Sequence, residues 1–350
     1  MDTLLERRLA DLQCPDCRGA LEHRHDQLVC NGCQRTFLQY EGALDLTPKS
    51  FGDEKSRIAT FWGDIYRQVY ESEDASYSSE ALRQSLVELQ DLFEKREHLS
   101  AVEMGEIDLA GKDLLEIGSG AGGHSALFRS RGASLVSVDI TPERVLATHR
   151  KLQLLSDLPG DGVAARADAE NLPFRDASFD VVFSNGVLHH TSDTTRAVRE
   201  VHRVLRPGGR VVLMLYSRHS ALYWMHLLPK ALLSGKFFTN REEEWIGYFT
   251  EGRPKFSNEH NPITRVYSKR QLRELLSAFR QLRMRKTSFF ITYLPIPGIS
   301  AMRSKILRRL GHKEHQGGML VYGSATMLET PVERMLGHHV GFAWNITAIK

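Results

Sequence analysis

A glycine-rich turn between two apolar segments constrains the fold of this chain more than any other feature. The stretch LLEIGSGAGGHS occupies Leu114–Ser125, and a second apolar segment ends in Asp139, 21 positions after Gly118. Glycines lack a Cβ atom, so the backbone can turn tightly and approach a ligand, and the helix that follows offers unpaired N–H groups. An acidic residue at the end of the second strand can accept hydrogen bonds from ribose hydroxyls. The pattern predicts a nucleotide-type cofactor site on an α/β sheet.

Two classes of cofactor fit these glycines. Gly118, Gly120 and Gly123 satisfy the pattern G-x-G-x-x-G, which is typical of dinucleotide sites. Glu116 favours the other class, because a carboxylate at the mouth of the turn would repel a pyrophosphate and attract a ligand with an ammonium and a sulfonium. S-adenosylmethionine (SAM) is such a ligand, and we expect it here.

Four blocks of sequence resemble the class I SAM-dependent methyltransferases of the small-molecule and quinone type. They are EIGSGAG (Glu116–Gly122), VSVDIT (Val136–Thr141), ADAENLPFRDASFDVVFSNGVLHH (Ala167–His190) and AVREVHRVLRPGGRVVLM (Ala197–Met214). The resemblance implies a Rossmann-like, seven-stranded α/β sheet with helices on both faces. It also implies the contacts with SAM: Glu116, Gly118, Gly120 and Gly122 at the methionine end, Asp139 and Ile140 at the ribose and adenine, Asp168 and Ala169 around the adenine, and Asn185 closing the pocket.

Alternating apolar and amphipathic segments predict the order of the strands and helices. The predicted strands are Asp113–Ile117, Leu135–Ile140, Val163–Ala167, Phe179–Ser184, Arg210–Leu215, Thr287–Tyr293 and a last one near Gly341–Ile349. Predicted helices between them are Gly123–Ser130, Pro142–Leu155, Asp193–Leu205 and Ser268–Phe279. Such alternation with short connections indicates a mostly parallel sheet.

Three units follow from this order. A ribbon-like module is expected at residues 1–48, a helical cap at 49–110 and the SAM-binding domain at 111–350, with a lid insertion at 217–265. Trp62, Tyr66 and Tyr70 recur in the cap at helical spacing. Such an aromatic stripe can face a ligand, but it is more often core.

All four cysteines lie near the N-terminus, as C-x2-C-x12-C-x2-C. Four thiolates could bind one tetrahedral zinc ion, from Cys14, Cys17, Cys30 and Cys33. Such an ion would have no open coordination position for catalysis. Disulfides and a redox C-x-x-C are the alternatives, and a reducing cytosol and the presence of two C-x-x-C pairs disfavour them. The segment resembles zinc ribbons fused to methyltransferases, where it could aid folding, recruit substrate or dock a partner.

Two adjacent histidines are the candidate general bases. His189 and His190 follow the fourth predicted strand, where the acceptor should meet the methyl group, and an imidazole has a suitable pKa. Because LHH recurs in the resembled families with different acceptors, one of them is expected to be structural. Alternatives of lower weight on the lid side are Tyr216, His219, His260 and Tyr267.

Charge is concentrated in one stretch. Residues 265–313 hold 13 Lys and Arg against one acid, Glu274, which is a net charge of 13 − 1 = +12. In this stretch Ile299, Met302, Ile306, Leu307 and Leu310 form an apolar stripe opposite Arg303, Lys305, Arg308 and Arg309. A helix of this kind could meet a membrane surface, a phosphate group or RNA, or simply pack on the domain. The apolar run Leu222–Leu233 would suit a lipid-like acceptor.

The sequence therefore predicts methyl transfer from SAM to a small molecule and a structural zinc site in the N-terminal ribbon. An RNA methyltransferase and a non-catalytic scaffold that docks a partner are the alternatives. The charged N-terminal residues do not form a signal peptide, and no apolar run approaches a membrane span. We expect a cytoplasmic protein, with a membrane surface as an additional location.

Overall fold

The N-terminal module forms a small antiparallel sheet. The structure, a computed structural model, describes residues 9–24, 27–74, 76–251, 260–312, 314 and 327–350. Residues 1–8 of the predicted ribbon, residues 252–259 of the predicted lid and Lys313 of the basic stretch therefore lie outside it. The small sheet consists of β1 (Leu21–Arg24), β2 (Gln27–Cys30) and β3 (Thr36–Phe37).

Ten strands of the described chain form the main sheet. They are β4 (Gln39–Tyr40), β5 (Ala43–Asp45), β6 (Asp113–Ile117), β7 (Ser134–Asp139), β8 (Asp161–Arg166), β9 (Phe179–Asn185), β10 (Leu205–Ser217), β11 (Val266–Tyr267), β12 (Arg280–Thr287) and β13 (Ala343–Ile349). The order is β12-β13-β10-β9-β6-β7-β8-β5-β4, with β11 beside β10. Strand β13 is antiparallel to both neighbours, whereas β6 to β10 run parallel. The predicted seven-stranded sheet is confirmed, and β4, β5 and β11 extend it.

Helices connect and cover these strands. They are α1 (Asp53–Val69), α2 (Glu71–Asp74), α3 (Ser79–Lys95), α4 (Gly123–Ser130), α5 (Pro142–Leu154), α6 (Thr194–Val204), α7 (Leu228–Leu233), α8 (Lys236–Thr239), α9 (Glu242–Thr250), α10 (Lys269–Leu275), α11 (Ile299–Arg309) and α12 (Pro331–Val340). A π-helical turn, Tyr223–Leu227, precedes α7. No helix in the described ranges combines the length and apolar character needed to cross a bilayer.

Both faces of the main sheet are buried. Leu115 and Ile117 of β6 belong to one apolar core, whereas their neighbour Leu114 belongs to a second. Because successive side chains of a strand point to opposite faces, these two cores lie on opposite sides of the sheet. This arrangement explains the long apolar runs in the sequence, since a strand buried on both faces has no polar side.

One predicted strand lies elsewhere in the chain. The strand expected at Thr287–Tyr293 is instead β12, Arg280–Thr287, and Ile291–Tyr293 form a 3-10 turn. The sequence RQLRMRKT of β12 has no apolar pattern that would indicate a strand. Its cations can lie in the sheet because they have partners elsewhere in the chain. Arg285, for example, forms an ion pair with Glu103 at 2.9 Å.

The predicted amphipathic helix is present as α11, but its faces divide differently. Ile299 and Leu307 are buried, as expected for the apolar stripe, whereas Met302, Ile306 and Leu310 are exposed. Arg303, expected on the polar face, is buried in an ion pair with Glu333 at 2.7 Å. Because Arg303 pairs with Glu333, the helix presents one side of its basic face to the protein and leaves part of its apolar stripe exposed to solvent.

The segment after the small sheet continues into the main sheet. Glu41 and Gly42, both with positive φ, make the tight turn between β4 and β5, and β5 pairs with β8 in parallel. Asp45 also forms an ion pair with Arg166 at 2.9 Å. Strands β4 and β5 fall within the unit predicted at residues 1–48, so no break in the sheet separates that unit from the one predicted at residues 111–350.

Candidate functional site

The turn between β6 and α4 depends on glycine at its first position. Gly118 has a φ of +81°, and a Cβ atom added there would lie 2.1 Å from Cγ2 of Val187. Its amide and that of Ser119 donate hydrogen bonds to the carbonyl of Val138, at 2.7 and 3.1 Å. The turn is therefore fastened to β7, and its backbone lies closer to Val187, just after β9, than a side chain would permit.

Asp139 joins the end of β7 to the same turn. One carboxylate oxygen accepts a hydrogen bond from the amide of Gly120 at 3.1 Å, and the other accepts from the amide of Thr141 at 3.0 Å. These bonds hold the carboxylate at the rim of the sheet, where it can also accept hydroxyl donors from a ligand.

A cavity of about 410 Å³ opens at the carboxyl ends of the parallel strands. Helices α1 and α3 cover it with Lys55, Ile58 and Trp62 and with Leu89 and Phe93. Seven of the predicted cofactor residues line it: Gly118, Gly120, Asp139, Ile140, Asp168, Ala169 and Asn185. Its position is the one at which open α/β sheets bind ligands.

Comparisons with known proteins agree with this geometry. The family described as "Methyltransferase domain" matches residues 115–213. A ubiquinone biosynthesis O-methyltransferase of Pseudomonas aeruginosa is 32% identical over 175 residues, which cover 45% of this chain and 73% of that protein. The chain belongs to the class I SAM-dependent methyltransferases.

Other proteins similar to this methyltransferase cover different shares of the chain. A phthiotriol/phenolphthiotriol dimycocerosates methyltransferase of Mycobacterium leprae is 40% identical over 108 residues, covering 30% of this chain and 38% of that protein. A solved SAM-dependent methyltransferase from Methanosarcina mazei is 21% identical, with a TM-score of 0.45, over 71% of this chain and 97% of that chain.

Two predicted cofactor residues of the methyltransferase do not line the cavity. Gly122, with a φ of +80°, precedes α4 and packs against Thr148, where a Cβ would lie 3.1 Å from Cα. Glu116 is fully buried and accepts hydrogen bonds from the hydroxyls of Ser125 and Ser137. Burial raises the pKa of Glu116 to about 8. The expectation that this carboxylate faces the ligand is not met, because its strand neighbour Ile117 lines the cavity and Glu116 does not.

A lysine of the helical cap closes the far end of the cavity. Nζ of Lys55 lies 2.6 Å from Oδ2 of Asp168 and 2.9 Å from Oε2 of Glu170, and all three residues line the cavity. Lys55 precedes Asp168 by more than a hundred positions, and no motif marked it in the sequence. The pairing joins α1 to the loop after β8 and partly neutralises two adjacent carboxylates.

The two histidines are placed very differently. His190 lines the cavity, and its ring lies 5.5 Å from the ring of Trp62. Its Nδ1 is 3.0 Å from the carbonyl oxygen of Ile263. A carbonyl can only accept, so Nδ1 carries the hydrogen and Nε2 keeps a lone pair. Burial lowers the pKa of His190 below its ordinary value, which keeps the imidazole neutral at pH 7.

A second group supports this tautomer. The side-chain amide of Asn261 also lies within 2.7 Å of Nδ1, and its oxygen has no hydrogen-bond partner among the described residues. The two ends of an amide are assigned from the surrounding network. Turning the Asn261 amide so that its oxygen faces the Nδ1–H gives that oxygen a donor.

His189 lies in the core instead. It is fully buried, does not line the cavity and packs against the ring of Tyr216, with the ring centroids 3.9 Å apart and the rings tilted by 41°. Burial lowers its pKa well below the ordinary value, so it remains uncharged. The lid-side alternatives Tyr216, His219, His260 and Tyr267 are also absent from the cavity lining, and the hydroxyl of Tyr216 donates to Glu251 at 2.9 Å.

The four cysteines form one cluster. Their Sγ atoms all lie within 4.8 Å of one another, with Cys14 to Cys33 at 3.7 Å and Cys17 to Cys30 at 3.4 Å. Four sulfurs around zinc, at about 2.3 Å from the metal, are separated by about 3.8 Å. The observed separations are close to this value, and the four cysteines are not joined as disulfides. The sulfur positions therefore fit a metal ion.

Glycines make room for these sulfurs. A Cβ atom on Gly19 would lie 2.9 Å from Sγ of Cys30, and one on Gly32 would lie 3.2 Å from Sγ of Cys17. The amide of Gly32 points to Sγ of Cys30 at 3.3 Å. Burial raises the pKa of Cys30, but hydrogen bonds from Cys33, Cys17 and Gly32 outweigh it, so the pKa is lowered to about 7.

Proposed function

We propose that this chain methylates a hydroxyl group of a small molecule with SAM, and that His190 is the general base. The observation that carries the proposal is the geometry of His190, which faces the cavity with Nδ1 bonded to the carbonyl of Ile263. Two relatives, a ubiquinone biosynthesis O-methyltransferase and a 27-O-demethylrifamycin SV methyltransferase, support an oxygen acceptor on a small molecule by the reactions in their names.

The residues of the cavity suit each part of SAM. Asp139 would accept the ribose hydroxyls, and Asp168 with Ala169 would hold the adenine. Gly118 and Gly120 would follow the methionine end, with Gly122 shaping the turn beneath it and Asn185 closing the fourth strand. Glu116 would act indirectly, by bracing the turn through Ser125.

The chemistry is an in-line displacement, for which the bound sulfonium supplies an activated methyl group. The acceptor hydroxyl donates its proton to Nε2 of His190 while an oxygen lone pair forms the bond to the methyl carbon. Bound SAM would supply the methyl group, and the electron pair of its carbon–sulfur bond would remain on sulfur. Trp62 and Ile58 line the cavity and would limit the access of water to the reacting groups. Such a base contributes about 10²- to 10⁴-fold in rate.

Cofactor binding tests the first part of the proposal. Calorimetry with S-adenosylhomocysteine (SAH) should show micromolar binding to the wild type, strong weakening in Asp139→Ala, and none with NAD as the control ligand. Binding of NAD in place of SAH would overturn the proposed site.

Zinc is the proposed occupant of the cysteine cluster. Cys14, Cys17, Cys30 and Cys33 would hold it, and four thiolates would leave no open position for catalysis. Free thiols favour a reducing compartment, so we propose the cytoplasm as the location. Elemental analysis should find one zinc per chain and none in a variant carrying Cys17→Ser and Cys33→Ser. A wild-type protein without metal, at unchanged stability, would contradict this.

Helix α11 supports a membrane surface as a further contact. Met302, Ile306 and Leu310 are exposed at 54, 47 and 69%, one turn apart, and Lys305 and Arg309 flank them. Exposed apolar residues beside cations are typical of helices that bind anionic lipid. A lipid-like acceptor would be met at such a surface.

Vesicle sedimentation tests this contact. Binding to phosphatidylglycerol vesicles, but not to phosphatidylcholine vesicles, should be lost when Met302→Glu and Ile306→Glu are combined. Val87→Glu, at an equally exposed apolar position on α3, is the matched control. Equal binding by both variants would remove α11 from the contact.

The two alternatives have less support. For an RNA partner, many cations of residues 265–313 are already paired, among them Arg285 with Glu103, Arg303 with Glu333 and Arg308 with Glu314. RNA-dependent methyl transfer that falls steeply with salt would nevertheless favour it. A non-catalytic scaffold would bind SAH and leave every acceptor unmethylated.

A further inference from the structure

The N-terminal module is docked on the loop that carries Asp168. This loop, residues 168–175, starts in the cavity and then leaves it. The amide of Gln13 donates to the carbonyl of Pro173 at 3.0 Å, and the amide of Arg175 donates to the carbonyl of Asp11 at 2.7 Å. Leu12 and Phe174 pair between them as an antiparallel bridge. The edge of the module thus acts as a short partner strand for the second half of the loop.

One side chain of the module reaches further along the loop. Nη1 of Arg18 donates to the carbonyl of Leu172 at 3.2 Å, and Nη2 donates to Glu200 at 3.1 Å. Glu200 accepts in turn from the amide of Leu172 at 2.9 Å. Arg18 and Glu200 therefore hold the acceptor and the donor of one residue, four positions after Asp168. Arg203 of α6 shares this task, because its Nη2 donates to the same carbonyl at 3.0 Å.

The cysteine cluster determines where Arg18 stands. Arg18 follows Cys17 directly, and its amide donates to the carbonyl of Cys14 at 2.9 Å. Its φ is +61°, in the left-handed region that residues with a Cβ atom disfavour. A metal ion held by Cys14 and Cys17 would close this knuckle and keep Arg18 in that conformation. Loss of the ion would remove this restraint on Arg18.

We propose that the zinc-loaded module positions the cofactor site, through Arg18 and the backbone of residues 11–13, so that Asp168 meets the amino group of adenine. Arg18 is a positioning residue in this scheme, because it touches the loop and not the cofactor. The proposal rests on the proposed contact between Asp168 and adenine. It assigns the module a role in recognition of the base, beyond folding.

The test compares two ligands that differ only at the base. SAH has a 6-amino group, which Asp168 can accept from, and S-inosylhomocysteine has an oxygen there. Wild type should prefer SAH. Arg18→Ala should weaken SAH about tenfold and leave S-inosylhomocysteine nearly unchanged, so that the preference collapses. Arg24→Ala, on the exposed hairpin of the module, is the matched control and should behave as wild type.

Metal removal should have the same effect as Arg18→Ala. Treatment of the full chain with a zinc chelator should lower the preference for SAH, and added Zn²⁺ should restore it. Equal weakening of both ligands in Arg18→Ala would show general destabilisation and overturn the proposal, as would an unchanged preference. Asp168→Ala separates the adenine contact from the effect of the module on it. If Asp168→Ala still prefers SAH, the contact between Asp168 and adenine is refuted. If Asp168→Ala loses the preference and Arg18→Ala keeps it, only the role of the module is refuted.

Discussion

Gly118 offers the sharpest test of how the cofactor turn is built. An added Cβ would lie 2.1 Å from Cγ2, 2.8 Å from Cγ1 and 2.9 Å from Cβ of Val187, at a φ of +81°. The left-handed backbone costs a residue with a side chain about 1–2 kcal/mol, and overpacking adds about 1–3 kcal/mol. We therefore expect Gly118→Ala to lower the free energy of unfolding by about 2–5 kcal/mol and to weaken SAH binding.

Two backgrounds separate these contributions. Gly111→Ala measures the backbone cost alone, because Gly111 has a φ of +69° and open space around its Cβ position. Combining Gly118→Ala with Val187→Ala removes the two nearest methyl groups and should recover about 1–2 kcal/mol. Urea denaturation gives the unfolding free energies, and calorimetry gives the affinity for SAH. An equal penalty for Gly118→Ala with and without Val187→Ala would refute the steric argument.

Three further predictions concern the base, the buried carboxyl group and the support of the turn. His190→Gln should reduce the transfer of labelled methyl groups to a hydroxyl acceptor by about 10²- to 10⁴-fold with SAH affinity unchanged, and His189→Gln should not; equal losses would contradict the assignment. Burial raises the pKa of Glu116 to about 8, above its unfolded value, so the folded state binds the proton more tightly. The stability that the protonated carboxyl group provides is complete at low pH and is lost as the pH rises through about 8. The free energy of unfolding in urea should therefore fall over that range in the wild type relative to Glu116→Gln. Parallel pH dependences of the two proteins would contradict this. Lys151→Met breaks a buried ion pair with Asp74 at 2.8 Å and a bond to the turn, and should cost about 3–5 kcal/mol in thermal or urea unfolding; a loss below about 1 kcal/mol would exclude that role.

The elements around the glycine turn could be predicted because their determinants are local. The strand Asp113–Ile117 and the helix Gly123–Ser130 were predicted with the bounds that the structure has. An apolar run, a turn that excludes side chains and a helix start are all written in consecutive residues. The same holds for the cysteine cluster, since its spacing alone brings four sulfurs together.

Features that depend on distant partners were missed. Lys55 reaches Asp168 from another helix, and no local pattern indicates such a pair. Strand β12 was misplaced because the cations that make it look exposed are paired across the chain, as Arg285 is with Glu103. Glu116 was expected in the cavity, but successive side chains of β6 point to opposite faces of the sheet. Ile117 lines the cavity, so Glu116 points to the other face. The choice between the histidines needed the carbonyl of Ile263, which follows them by more than seventy positions.

The pairing of β5 with β8 has a consequence for any attempt to isolate the catalytic domain. Strand β8 would be an outer strand of the parallel sheet without residues 43–45, and its free N–H and C=O groups would offer a template to another chain. The two-residue strand β4 ends the sheet instead, and it is too short to recruit a neighbour. A chain that starts at residue 49 should therefore self-associate through β8, which the full chain keeps paired.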